Sequence, residues 1–247
     1  MGTISITLGA LFDIGLLKAV IWDFDGILGD TEGLQMEKWN ILLRPYGIVI
    51  SLAEYIAQYC GKSSATEIPV LLKQKYGDKI PLTEQELGQR AAEILQQLFE
   101  THPIEFMPGA RSAIRFCQTK GLEMAICSAK DPDELEMKLR NSGISKCFPR
   151  KLRSTQSQAG GVAKPHPAMY AFAVKQLGLF PYECIAFEDT AAGVNSASAA
   201  GVVIVALPNM YSEGQDFSNA HFVVRGGWPG FFTALKKDET LLTVVRF

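Results

Sequence analysis

Short apolar runs recur along the chain at 18–22, 123–127, 184–187 and 202–207, each closed by polar or turn residues. Polar and apolar positions do not alternate within them. That predicts strands covered on both faces, as in a buried parallel sheet. A weaker run at 221–224 predicts a fifth strand. Between the runs the pattern turns helical. Residues 109–120 open with Pro108-Gly109 and stop at Gly121, and 132–142 open with Pro132 and stop at Gly143. Residues 166–177 follow Lys164-Pro165, with Met169, Phe172, Ala173 and Leu177 on one face and Gly178 as the stop. Residues 191–200, rich in Ala and Ser, end at Gly201 and allow close packing on a sheet. Strand alternating with helix predicts an α/β fold with a doubly wound parallel sheet.

The stretch from 33 to 106 breaks this alternation. It holds no convincing buried strand and reads as helices over 34–46, 52–59, 64–76 and 83–100, punctuated by Gly47, Gly61 and Gly77. An all-helical insert that begins just beyond the first strand predicts a cap domain hinged over the strand ends, where it would exclude water and carry specificity. The expected domains are therefore 1–32 with 107–247 as the core, and 33–106 as the cap.

At 247 residues the chain is long enough for one large domain or two smaller ones, and 47% apolar with 20% charged content is ordinary for a globular protein. The net charge of −2 leaves no electrostatic footprint for nucleic acid or an anionic membrane. The one basic cluster, Lys146, Arg150, Lys151 and Arg153, reads as a solvated loop. The five cysteines form no Cys-x-x-Cys pair, so neither a zinc site nor a disulfide framework is indicated. Cys127 and Cys184 fall in strand-like runs and read as core, which fits a reducing compartment. Residues 1–17 are apolar but lack a basic leader, are interrupted by Asp13 and are too short to span a bilayer. They read as an extension into the first strand of a cytoplasmic protein.

The chemistry is concentrated where the strands should end. In an open α/β sheet, ligands bind at the carboxyl ends of the strands. The first run ends in Asp23-Phe24-Asp25-Gly26, the second in Ile126-Cys127-Ser128 and the third in Phe187-Glu188-Asp189-Thr190, while Lys164 precedes a proline-started helix. A carboxylate can attack phosphorus in line and form an acyl phosphate, which makes Asp23 the candidate nucleophile. Asp25, two residues on, can protonate the leaving oxygen and then deprotonate the attacking water. Two anions beside a phosphate need a cation. Mg²⁺ takes oxygen ligands, which Asp23, the main-chain carbonyl of Asp25 and Asp189 would supply, with Glu188 in or next to that shell. Ser128 and Lys164 would hold the non-bridging phosphate oxygens, and backbone N–H groups after Asp25 and Ser128 could add anion contacts. Taken singly, each feature has a plainer reading: a turn at Asp25-Gly26, a helix cap at Ser128 or Thr190, a surface lysine at Lys164. Four such accidents are not expected to fall in this order at strand ends.

These residues resemble the haloacid-dehalogenase-like (HAD) hydrolases, in the branch with a helical cap after the first strand that holds β-phosphoglucomutases, phosphoglycolate phosphatases and sugar-phosphate phosphatases. The resemblance spans about 17–207 and rests on four motifs: DFDGILGDTE, Ser128 in AICSAK, Lys164 in AKPHPAMY, and FEDTAAGV. It implies a Rossmann-like core, Mg²⁺ and phosphoryl transfer through Asp23. The departures bear on activity. Ile27 stands where the family usually has Thr or Val, and Gly29 fills a commonly apolar position. Gln35 stands where the mutases carry a histidine, Ser64 where they carry a phosphate-binding arginine, and Arg90 falls near a cap lysine. Losing a cap cation weakens the mutase reading. Dehalogenation fits worse, because that chemistry needs no metal and leaves Asp25 without a role. The expected function is a Mg²⁺-dependent phosphatase acting on a small phosphorylated metabolite, with Gln35 and Lys62 as cap-side substrate contacts. A hexose-phosphate mutase and a non-catalytic phospho-ligand sensor are the alternatives.

Overall fold

The computed structural model describes residues 4–5, 7–60, 62–237 and 244–245. Gly61, read above as a helix stop, lies outside the described residues, as do 1–3 and 6 of the N-terminal extension. In chain order the strands are β1 (Ile4–Ser5), β2 (Ala19–Trp22), β3 (Glu123–Ser128), β4 (Arg153–Thr155), β5 (Cys184–Glu188), β6 (Val203–Ala206), β7 (Phe222–Val223) and β8 (Val244–Val245). The helices are α1 (Leu8–Asp13), α2 (Glu32–Leu43), α3 (Leu52–Gln58), α4 (Glu67–Tyr76), α5 (Glu84–Thr101), α6 (Ala110–Thr119), α7 (Pro132–Asn141), α8 (Ala168–Leu177), α9 (Ala191–Ala199) and α10 (Gly227–Lys237). The chain divides into two compact units, Met1–Asp30 with Glu105–Phe247, and Thr31–Ile104.

The first unit is built on a parallel six-stranded sheet in the order β4-β3-β2-β5-β6-β7. All five predicted strands are present. The sixth, β4, begins at Arg153, the last residue of the basic cluster read as a solvated loop. Three residues with one arginine carry too little hydrophobic signal to read as a strand. Arg153 is not a free surface charge, since its guanidinium donates to the Phe148 and Ser145 carbonyls and pairs with Glu136.

β2 is the central strand, and its four residues are fully buried. One sheet face is small and aliphatic, with Ala19, Ile21, Ala125, Cys127, Ala186 and Ile204 packed on Met169, Ala173, Val194 and Ala197 from α8 and α9. Burial pushes the Cys127 and Cys184 thiols up, as expected of inert core cysteines. The other face is aromatic. Trp22, Phe187 and Trp228 stack with centroids 4.7–5.3 Å apart. Segment 226–230 was read as a surface turn anchored by Trp228. The anchor is there, but the segment opens α10, and Trp228 is buried with its indole N–H donating to the Ile27 carbonyl at 2.8 Å. A helix starting in Gly-Trp-Pro-Gly carries glycine and proline signals that mimic a turn. The N-terminal extension likewise contains α1, capped by the Thr7 hydroxyl.

The second unit is all-helical, as the pattern predicts, with ends within a few residues of those read from sequence. Thr83 and Glu86 form a capping box that starts α5. Its buried stripe, Leu87, Ala91, Leu95 and Leu98, has the 3.6-residue period. Asn40 bonds both backbone groups of Ile50, at 2.7 and 3.1 Å. Among the described residues no helix is long and apolar enough to cross a membrane.

Candidate active site

Sheet register assembles the site. Trp22 pairs with Ile126 of β3 and with Phe187 of β5. One step further on, Asp23 therefore stands level with Cys127 and Glu188, and its N–H donates to the Phe187 carbonyl at 3.1 Å. Asp23, Glu188 and Asp189 are all buried, and each offers a carboxylate oxygen within 4.8 Å of the others. Three hard oxygen donors converging in a buried site form a set that suits a hard divalent cation such as Mg²⁺. Without one, burial and the neighbouring Glu188 and Asp25 charges push the Asp23 carboxyl up from 3.8 to about 7, against the pull of Lys164.

Lys164 enters this cluster from the loop before α8. Its side chain is 9% exposed, and its ammonium donates to Asp23 Oδ1 at 2.6 Å, Glu188 Oε1 at 2.5 Å and the Cys127 carbonyl at 3.2 Å. Two carboxylates facing the buried ammonium raise its pKa. The helix itself begins at Ala168, later than the predicted 166. Ser128 closes β3, fully buried, with its hydroxyl accepting from the Lys130 N–H at 3.3 Å. The expected backbone anion contacts are partly committed elsewhere. The Gly26 N–H goes to the Gly29 carbonyl at 2.9 Å, and the Lys130 N–H to Ser128. Thr190 also fulfils its plainer reading, capping α9 through the Gly193 N–H.

The turn after Asp23 is held tightly. Gly26 adopts φ 75°, and a Cβ there would collide with Asp189 Oδ2. Only glycine tolerates both demands. Leu28 and Asp30 pair with Met107 and Glu105 through backbone bonds of 3.0 and 2.8 Å, and Trp228 fixes the Ile27 carbonyl from below.

Asp25 does not join the carboxylate cluster through its side chain. Its two oxygens accept from Lys138 Nζ at 2.7 and 3.0 Å. Lys138 was not singled out from the sequence. On α7 it forms an i,i+4 pair with Glu134, which reads as an ordinary surface pair, whereas its side chain is 0% exposed. Two more residues complete the surroundings. The buried Tyr170 hydroxyl donates to Glu188 Oε1 at 2.6 Å, and Asn209 Nδ2 donates to Asp189 Oδ2 at 2.7 Å. Asn209 follows β6 by three residues, so the strand-end rule could have found it. Tyr170 lies on the apolar stripe of α8 and was hidden there.

In the helical unit Gln35 is buried and accepts a hydrogen bond from Lys38, whose ammonium also donates to Ser64 Oγ at 2.7 Å. Lys62 and Arg90 are exposed.

The model of the haloacid dehalogenase-like hydrolases matches residues 17–201. Among curated proteins, protein CbbY of Rhodobacter capsulatus is 30% identical over 83% of this chain and 91% of its own. The phosphorylated carbohydrates phosphatase of Thermotoga maritima is 25% identical over 93% and 99%. Among solved structures, a HAD family hydrolase from Deinococcus radiodurans, with bound phosphate and sodium, superposes with a TM-score of 0.71 at 25% identity, covering 93% of this chain and all of that one. With the four motifs on one sheet edge and a family match over most of its length, the chain belongs to the haloacid dehalogenase-like hydrolases.

Proposed function

We propose that this protein is a Mg²⁺-dependent phosphatase that hydrolyses a small phosphorylated metabolite, a sugar phosphate or related organic phosphate, through an aspartyl-phosphate on Asp23. The observation that carries the reading is the buried cluster of Asp23, Glu188 and Asp189 with Lys164 donating to Asp23, two residues from a second carboxylate. The relative from T. maritima, named for dephosphorylating carbohydrates, supports the substrate class.

Asp23 attacks phosphorus as the ester bond breaks, and Asp25 gives its proton to the leaving oxygen. Asp25 then takes a proton from water as that water attacks the acyl phosphate, releasing inorganic phosphate and restoring Asp23. Ser128 and Lys164 hold non-bridging oxygens and offset charge as it develops. Asp23, Asp189, the Asp25 carbonyl and Glu188 would hold the cation. When bound, Mg²⁺ neutralises carboxylate and phosphate charge and orients the phosphoryl group. Gln35 and Lys62 are candidate substrate contacts of the helical unit, whose proposed role is that of a specificity-bearing cap.

One observation favours a second reading. Gln35 and Ser64, two positions where this chain departs from the mutases, share the buried Lys38 ammonium. A lysine thus stands beside the two positions where the mutases carry a histidine and an arginine, which favours a hexose-phosphate mutase as the alternative. Phosphate release from a panel of phosphorylated metabolites, with and without Mg²⁺, separates the two. Metal-dependent release is expected. Interconversion of sugar-phosphate isomers with little free phosphate would replace the phosphatase with the mutase.

A further inference from the structure

Lys138 is a fully buried charged side chain at the strand ends that the reaction above does not use. Its ammonium is enclosed by Asp25, by Glu134 at 3.0 Å and by the Phe24 ring at 5.7 Å. Withdrawing an ammonium from water costs several kcal/mol, and a buried ion pair commonly stabilises a fold no better than apolar residues of the same size. Stability alone therefore gives little reason for a lysine here. The geometry of its contacts gives a better one. Asp25 lies in a turn whose backbone is fixed by Gly26, Ile27 and Leu28, and its side chain is 19% exposed, so the backbone alone does not choose its rotamer. Lys138 reaches both carboxylate oxygens from α7, the helix that follows β3 in the chain.

We propose that Lys138 is a positioning residue for Asp25, holding the carboxyl group of the proposed acid and base in one orientation throughout the catalytic cycle. This rests on the phosphatase reading. Oδ1, at 2.7 Å, stays on the ammonium. Oδ2, held at the longer 3.0 Å, is the oxygen assigned to the proton transfers in this proposal. That proton passes from Oδ2 to the ester oxygen as the P–O bond to the alcohol breaks. Oδ2 then receives a proton from water as the water oxygen bonds phosphorus and the bond to Asp23 breaks. Lys138 touches neither substrate nor phosphate and acts only through Asp25.

The experiment compares two esters on the full-length protein with Mg²⁺: para-nitrophenyl phosphate, whose nitrophenolate leaves without a proton, and the sugar phosphate turned over fastest in the panel. Lys138→Met is expected to lower kcat/KM for the sugar phosphate by about 10²-fold, the usual cost of a misplaced catalytic group. The nitrophenyl ester should lose much less, and KM should stay near wild type for both. Lys138→Arg should recover part of the loss. In an Asp25→Ala background, Lys138→Met should change the residual rate by no more than about twofold, because the two residues act as one unit. Equal losses on both esters, an unchanged kcat/KM, or a full further loss in the Asp25→Ala background would each overturn the inference. If Lys138→Met does not fold, Lys138→Arg and Lys138→Gln carry the same comparison. A wild type that turns over neither ester overturns the phosphatase reading and the inference with it, whereas a working wild type beside unaffected Lys138 variants overturns the inference alone.

Discussion

Asp23 and Asp25 stand two residues apart, and each is met by a buried lysine that also pairs with a glutamate. Asp23 has Lys164 and Glu188, and Asp25 has Lys138 and Glu134. The two trios are alike in composition and unlike in construction. The first is set by strand register. Glu188 arrives level with Asp23 because β5 pairs with β2, and Lys164 is tied back to the Cys127 carbonyl of β3. Its carboxylates crowd one another, and a third, Asp189, joins them within 4.8 Å. The second trio is set by the rotation of a helix. Its carboxylates, Asp25 and Glu134, both face the one ammonium, and neither belongs to the cluster suited to a cation. Crowded acids suit the proposed metal and nucleophile, whereas an acid held by an ammonium suits the proposed proton carrier.

The comparison can be broken most severely at the nucleophile. Asp23→Asn should reduce phosphate release by about 10⁴-fold or more while the fold persists, because the covalent step is lost. Retained turnover in that variant, with its fold verified by circular dichroism, would sink the mechanism. Next comes the cation within the first trio. Lys164→Met, measured in EDTA near neutral pH, should cost about 3–5 kcal/mol of unfolding free energy, because Glu188 is left buried without its cation and Asp23 must take up a proton. A denaturant midpoint that does not move would mean that Lys164 does not compensate those charges.

A third test uses pH. The Asp23 carboxyl sits at about 7 in the folded chain against 3.8 ordinarily, so between those values the folded state holds a proton that the unfolded state has lost. This group's contribution to stability is full below about 4 and is lost as pH rises through 7. In EDTA, the stability difference between wild type and Asp23→Asn should therefore shift against the wild type from pH 5 to pH 8. Added Mg²⁺ should protect the wild type more at pH 8 than at pH 5, where it must displace that proton. A pH-independent difference would contradict the assigned direction. The mildest effect belongs to Asn209. Asn209→Ala frees Asp189 Oδ2 from its donor and should weaken Mg²⁺ activation by about tenfold, read as a shift in the metal concentration giving half-maximal rate. An unshifted metal titration would make the contact incidental.

Much of the site was legible because its residues follow buried strands directly. A run such as 18–22 announces both itself and the place where its chain emerges, so Asp23, Asp25, Ser128, Glu188 and Asp189 could be placed on one rim before any coordinates. Lys164 was found from its place just ahead of a proline-started helix. What escaped detection came from elements with weak or misleading local signals. β4 is three residues long, α10 opens with turn-forming residues, and Arg153 looked solvated within a basic cluster. Tyr170 was indistinguishable from core, and Glu134 with Lys138 from a surface pair.

By itself the amino-acid sequence determined the alternation of strand and helix, the all-helical insert and the identity of the acids at the strand ends. Those features depend on hydrophobic period and on neighbours within a few residues, which are local quantities. Only the tertiary structure decided which lysine meets which aspartate, that Trp228 supports the Asp25-Gly26-Ile27 turn, and that Asn209 and Tyr170 orient Asp189 and Glu188. Those contacts join residues up to 201 positions apart. They are fixed by strand order, helix rotation and the exclusion of water from the strand-end rim, none of which is carried by any short window of the chain.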